Sequence, residues 1–152
     1  MRKTISLGEA VRVSEELKKQ GKTVVLVGGC FDILHKGHLL FLEQAEKQGD
    51  ALFVALENDE SVRKLKGEGR PVNDQKARAG NLARLDSVDY VILLPLLVSN
   101  NDYFELTKKL APDIIAITEG DPKRAEKESQ GNVVVVTKHL TSFSTTKILQ
   151  NL

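Results

Sequence analysis

Two histidines, His35 and His38, stand three residues apart with Gly37 between them, shortly after Gly28-Gly29. At that spacing on the first turn of a helix, two imidazoles fall side by side on one face. The run before them, residues 23–27, is β-branched and apolar, and the run after them, 39–42, suits a helix. Strand, glycine turn and helix together aim free backbone N–H groups and the positive end of a helix dipole at an anion. A phosphate chain is the ligand that such a turn suits. Imidazole N–H donors fixed there stabilise charge developing on phosphate oxygens without reorganising. Zinc is the rival ligand, but it needs a third and fourth protein donor. The sequence holds three histidines and one cysteine, and His139 is far away along the chain, so no protein metal site is expected. Near the other end, Ser144-Thr145-Thr146 reads as an N-cap whose hydroxyls satisfy orphan helix N–H groups. The same groups can hold phosphates, so two helix starts would clamp one chain from both sides.

The elements that must position these groups follow from periodicity. Residues 5–20 read as an amphipathic helix, with Leu7, Ala10, Val11 and Leu17 near helical spacing and Gly21 as its stop. Strands are expected at 23–27, 51–56, 90–94, 114–117 and 133–136. Helices are expected from His35 or Lys36 to Gln48, after Asn58 or Asp59, from Asn73 or Asp74 through Leu85, at 102–110, from Asp121-Pro122 to Gln130, and at 144–152. Residues 66–73, with two glycines and a proline, read as a mobile loop. The strand runs are nearly continuous in apolar residues, as in parallel sheets buried on both faces. Their alternation with helices implies one α/β domain over 1–152, Rossmann-like and doubly wound, with a mainly parallel five-stranded sheet. A ligand belongs at the carboxyl ends of its strands, at the topological switch point.

Composition excludes other classes. A chain of 152 residues, 41% hydrophobic and 28% charged, fits one globular domain. A net charge of +1 offers no electrostatic case for a nucleic-acid or membrane partner. The longest apolar runs are too short to span a bilayer, and the start of the chain shows no secretory signal. A lone cysteine, Cys30, forms no internal disulfide, so a cytoplasmic location is expected.

The stretch Gly28-Gly29-Cys30-Phe31-Asp32-Ile33-Leu34-His35-Lys36-Gly37-His38 resembles the signature of the HxGH nucleotidyltransferases, the cytidylyltransferase-like superfamily. Ser144-Thr145-Thr146-Lys147-Ile148 resembles that superfamily's C-terminal phosphate-binding helix start. Arg63-Lys64-Leu65-Lys66-Gly67-Glu68-Gly69-Arg70-Pro71-Val72-Asn73 resembles the nucleotidyltransferase domain of the bacterial ADP-heptose synthesis enzymes. The three matches occur in order between residues 24 and 149. They imply a nucleotidyltransferase with Mg²⁺ as cofactor, a nucleoside triphosphate and a phosphorylated small-molecule acceptor as substrates, and, as in many small members, a homodimer. The resemblance assigns catalysis to His35, His38 and Lys66. It assigns nucleotide contacts to Gly29, Cys30, Phe31, His35, Gly37, His38, Ser144, Thr145 and Thr146. Substrate contacts fall to Asp32, Lys64 and Arg78. Asp32 would orient the attacking substrate or a magnesium shell, or else serve as a turn residue accepting local backbone bonds. Arg78 would meet the substrate or pair with a helix carboxylate. Cys30 stands where many relatives carry a small hydroxyl residue.

One segment departs from the subfamily. After the fourth expected strand the heptose-type enzymes carry a lysine, glycines and an Asp-aromatic pair; here the segment is Thr118-Glu119-Gly120-Asp121-Pro122. This region lies beside the nucleotide base in relatives, which makes Glu119 a nucleotide-contact candidate and leaves base and acceptor open. Residues 63–73 favour ATP and a heptose-1-phosphate-like acceptor. Glycerol-3-phosphate cytidylyltransferase and FMN adenylyltransferase share the first and last motifs. A non-catalytic nucleotide-binding module is the alternative of another class. A dehydrogenase is disfavoured, since no Gly-x-Gly-x-x-Gly follows the first strand.

Overall fold

Six strands and six helices follow one another along residues 3–138, the part of the chain that the computed structural model describes, alternating except that two helices follow the third strand. Ser144, Thr145 and Thr146, His139 and the helix expected over 144–152 lie outside the described residues. The strands are β1 (Thr4–Ile5), β2 (Val24–Gly29), β3 (Ala51–Leu56), β4 (Tyr90–Leu93), β5 (Ile114–Thr118) and β6 (Val133–Thr137). The helices are α1 (Leu7–Lys19), α2 (Lys36–Glu46), α3 (Asp59–Lys66), α4 (Gln75–Ala83), α5 (Asn100–Leu110) and α6 (Arg124–Gln130). All strands are parallel, in the order β1-β4-β3-β2-β5-β6. The order reverses between β2 and β5, so the glycines that end β2 stand at the switch point.

The sheet has six strands where five were expected, and the reason is local. Ser6 caps α1: its hydroxyl accepts from the Glu9 N–H, and the Glu9 carboxylate accepts from the Ser6 N–H, both at 3.2 Å. This reciprocal capping box starts the helix after Ser6 and leaves Thr4–Ile5 extended beside Val91 and Ile92. A second capping box, Ser99 with Asp102, starts α5 at Asn100 instead of 102. At α6 the expected cap fails. Asp121 accepts from the Lys123 N–H at 2.7 Å and pairs with Lys127 Nζ at 2.8 Å, forming a turn ahead of the helix, which begins at Arg124.

Period-two alternation along the strands divides the core. Val25, Val27, Leu52, Val54 and Leu56 face α2 and α4, where Phe41, Leu42 and Leu82 are buried with them. Val24, Leu26, Phe53 and Ala55 face α1 and α5, with Ala10, Leu106 and Leu110. The amino ends of the strands are tied by carboxylates. Asp50 accepts from the Thr23 N–H at 2.7 Å, Asp113 from Val24 at 2.8 Å and Asp89 from Leu52 at 2.7 Å. Negative charge is thereby kept at the edge of the sheet opposite the glycine turn.

Leu42 is fully buried on the α2 face. Leu42→Ala is expected to destabilise the domain by about 2–5 kcal/mol, read in urea unfolding as a lower midpoint at unchanged slope.

Candidate active site

The turn after β2 is shaped by contact between its own residues. Phe31 adopts a left-handed backbone (φ 46), costly for a bulky side chain and sustained only where the surroundings enforce it. Its ring is buried and folds back over Gly29, where a Cβ would lie 2.8 Å from the ring. Only glycine at 29 admits that approach. The same ring meets His38 edge-on, with centroids 5.5 Å apart.

His35 is the N-cap of α2, and its Nδ1 accepts from the Gly37 N–H at 3.1 Å. That bond places the proton of the neutral ring on Nε2. His35 and His38 stack, with centroids 3.9 Å apart and planes 22° from parallel. Gly37 is buried between them. Burial lowers the His35 pKa. Burial first, then the charges of His35 and Lys66, lower the His38 pKa to about 4, against the backbone of Ile33. Both rings are neutral near pH 7, and His38 Nδ1 is buried with no hydrogen-bond partner among the described residues. Lys66, exposed at the end of α3, bears electrostatically on both His38 and Cys30. The Cys30 thiol is pushed up by burial, with Lys66 opposing, so it is no activated nucleophile.

Asp32 and Arg78, both expected to contact a substrate, are committed to protein partners instead. The buried Asp32 carboxylate accepts from Arg70 Nε (2.9 Å), the Val72 N–H (2.7 Å) and the Asn73 N–H (2.9 Å). Burial alone would raise its pKa, but these bonds overcome it and hold the carboxyl below the usual value. Asp32 therefore anchors residues 70–73, and the stretch read as a mobile loop is fixed at that end. Arg78 is fully buried. It donates from Nε to Asn73 O (3.0 Å), from Nη1 to Cys30 O (2.8 Å) and Glu57 O (2.9 Å), and from Nη2 to the Asp59 carboxylate (2.7 Å). The alternative reading of Arg78, a partner for a helix carboxylate, is the one realised, since Asp59 opens α3.

On the α5 side of β2 lies a cavity of about 390 Å³, bordered by Gly28, Gly29 and Cys30 of the same turn and by Lys64 of α3. Glu57 and Tyr103, which residue types and spacing did not single out as site residues, also line it. The Tyr103 hydroxyl donates to the Glu57 carboxylate, with oxygens at 2.6 and 3.0 Å. The one sequence signal for Glu57 is a carboxylate directly after six buried apolar residues, at a strand's carboxyl end. Glu119 is exposed at the end of β5, its N–H donating to Thr137 O at 2.8 Å, and it is not part of the cavity wall.

Residues 26–151 match the family model described as cytidylyltransferase-like. A bifunctional protein HldE from Desulfatibacillum aliphaticivorans is 36% identical over 153 residues, covering 96% of this chain and 30% of the relative. The bifunctional protein HldE of Shewanella amazonensis is 40% identical over 154 residues, covering 97% of this chain and 31% of the relative. The chain thus spans about 30% of the length of these curated relatives. Among solved structures, a lipopolysaccharide core biosynthesis protein from Thermoplasma volcanium superposes with a TM-score of 0.60 at 26% identity, over 78% of this chain and 96% of that one. The pantoate-beta-alanine ligase of Francisella tularensis gives a TM-score of 0.64 at 13% identity, over 98% and 76% of the two chains, a likeness of fold alone.

Two outcomes are expected. Arg78→Met orphans buried carbonyls that cost about 1–3 kcal/mol each, so urea unfolding should show a loss of at least ~3 kcal/mol. For His38, the unfolded ring titrates near 6.5 and the folded ring at about 4, so between those values the unfolded chain binds the extra proton. Its contribution to stability is complete above pH 6.5 and is lost as the pH falls towards 4. His38→Gln should remove a slope of at most about 1.4 kcal/mol per pH unit in that window, measured as the difference between the two proteins' urea midpoints.

Proposed function

The chain belongs to the cytidylyltransferase-like family and is a nucleotidyltransferase, and from that premise we propose that it joins the nucleoside monophosphate of ATP to a sugar 1-phosphate of the heptose 1-phosphate kind. The acceptor phosphate attacks the α-phosphate, a new P–O bond forms, and pyrophosphate leaves. The observation that carries this reading is the stacked, neutral His35–His38 pair at the start of α2, beside the glycine turn at the switch point. Neutral imidazoles donate to the α-phosphate and to the departing oxygens, and an arriving anion favours their protonation. The backbone of residues 29–31 and the amino end of α2 hold the chain of phosphates.

Lys66 adds mobile positive charge from the end of α3, and Ser144, Thr145 and Thr146 are assigned the β- and γ-phosphates. The cavity on the other side of the turn takes the acceptor, with Lys64 near its phosphate. That phosphate is already an anion near neutral pH, so no protein base is needed and catalysis is alignment plus charge stabilisation. Asp32 and Arg78 act as positioning residues behind the turn. Asp32 is spent on residues 70–73, so Mg²⁺ fits here as a partner of the triphosphate, held by its oxygens. Glu119, beyond the end of β5, is proposed to face the base. A cytoplasmic setting, where ATP and sugar phosphates occur, suits this reading; no helix among the described residues is long and apolar enough to cross a membrane.

The test is pyrophosphate release with Mg²⁺ and either ATP or CTP, against heptose 1-phosphate, glycerol 3-phosphate and FMN. Turnover is expected with ATP and heptose 1-phosphate, and His38→Ala should lower kcat about a hundredfold or more. Turnover with another pair would reassign the substrates. Triphosphate binding by calorimetry without any turnover would favour a binding module.

A further inference from the structure

The cavity contains a polar pair that the reaction described above leaves unused. Glu57 directly follows β3, and its backbone is held from two sides. Its N–H donates to Gly29 O at 3.1 Å, and its carbonyl accepts from Arg78 Nη1 at 2.9 Å. The side chain is only 8% exposed yet lines the cavity, bonded to Tyr103 from α5. Two carboxylate oxygens offer about four acceptor sites, and the single Tyr103 proton engages them from one direction. The pair is therefore an acceptor with capacity left over on its cavity side, and the phenol oxygen can accept as well. Burial raises the Glu57 pKa against the Tyr103 bond and the charges of Arg78 and Lys127. Burial and Glu57 raise that of Tyr103, so the phenol keeps its proton.

The surroundings select what such a pair would bind. A phosphate there would meet a carboxylate and be repelled. An ammonium would meet Lys64, Lys123 and Lys127, which outnumber Glu126 in the same lining although Lys127 is paired with Asp121, with Arg78 behind Glu57. A hydroxyl carries no charge and satisfies the spare acceptors. Thr107 and Gln130, bonded to each other at 3.0 Å, extend the polar strip along α5 and α6. Leu26, Leu94 and Leu106 supply the apolar wall, as a carbon skeleton requires. Resting on the reading that this cavity takes the acceptor, we infer that Glu57 and Tyr103 determine acceptor specificity by binding a hydroxyl of its uncharged part, turning its phosphate towards Gly29 and the histidines.

Pyrophosphate release with ATP is measured on heptose 1-phosphate and on its 6-deoxy and 7-deoxy analogues, for the unaltered chain, Tyr103→Phe and Glu57→Gln. Each substitution keeps the shape of the residue. Each should lower kcat/KM for the full acceptor about tenfold, leave KM for ATP unchanged, and have no effect on one of the deoxy analogues. Equal losses on all three acceptors, as a merely structural tie between β3 and α5 would give, or no loss on any, overturn the inference. An independent binding readout separates this inference from the reading of the reaction. The chain has two tyrosines and no tryptophan, so Tyr90→Phe leaves Tyr103 as the only emitter. A saturable emission change with heptose 1-phosphate that weakens about tenfold for one deoxy analogue supports the pair even if no turnover occurs. Emission that is flat, or equal for all three probes, overturns it.

Discussion

A guanidinium with no exposure to solvent sits where the β2 turn, the end of β3, the start of α3 and the approach to α4 converge. Burying such a cation is expensive unless every donor is satisfied. Arg78 comes close to that requirement: all three of its side-chain nitrogens donate, through four hydrogen bonds, to three backbone carbonyls from separate segments and to one carboxylate. A planar fork of five donors suits this task; an ammonium on a flexible stem does not. The carbonyls of Cys30 and Glu57 are thereby fixed relative to one another, and with them the turn facing the histidines and the carboxylate facing the cavity. Asp32 does the complementary work one layer away, drawing Arg70, Val72 and Asn73 onto the same turn.

Around that fixed point the sheet is electrostatically asymmetric. Aspartates occupy the amino ends of the strands, where they accept backbone N–H groups. The carboxyl ends carry the glycine turn, a helix amino terminus, lysines and two imidazoles held neutral by burial. An incoming anion finds preorganised donors there, and the carboxylate of the turn, Asp32, is directed onto residues 70–73. On the other side of β2, Glu57 and Glu126 line the cavity, and Glu57 is the buried one; a buried carboxylate open to a cavity is a selective acceptor for uncharged donors. One turn of backbone thus separates a surface suited to a phosphate chain from one suited to a hydroxylated skeleton.

Much of this was legible along the chain, for identifiable reasons. Strands β2, β3 and β5 read correctly because parallel strands buried on both faces need unbroken apolar runs. His35 and His38 fall side by side, as their spacing implied, because spacing on a helix start is a local property. The errors were local competitions between caps. Ser6 with Glu9 shortened α1 and released Thr4–Ile5 as a sixth strand, while Asp121 formed a turn with Lys123 and Lys127 rather than capping α6. The site residues that misled were those whose partners are distant. Asp32 and Arg78 looked like ligand contacts, since nothing near them in sequence announces Arg70, Asn73 or the carbonyl of Cys30.

The sequence by itself therefore determined the alternation of strand and helix, the parallel sheet, the glycine turn and the two imidazoles on one helical turn. These depend on periodicity and on interactions within about one helical turn. Tertiary structure alone decided which charges face a ligand and which are spent inside. Glu57 and Tyr103 are 46 residues apart and meet across the cavity, and the charge of Lys66, at the end of α3, bears on His38 only because the fold brings the two near each other. Such pairings depend on where the sheet order reverses and on how deeply each group is desolvated. Neither quantity is a property of any short stretch of chain.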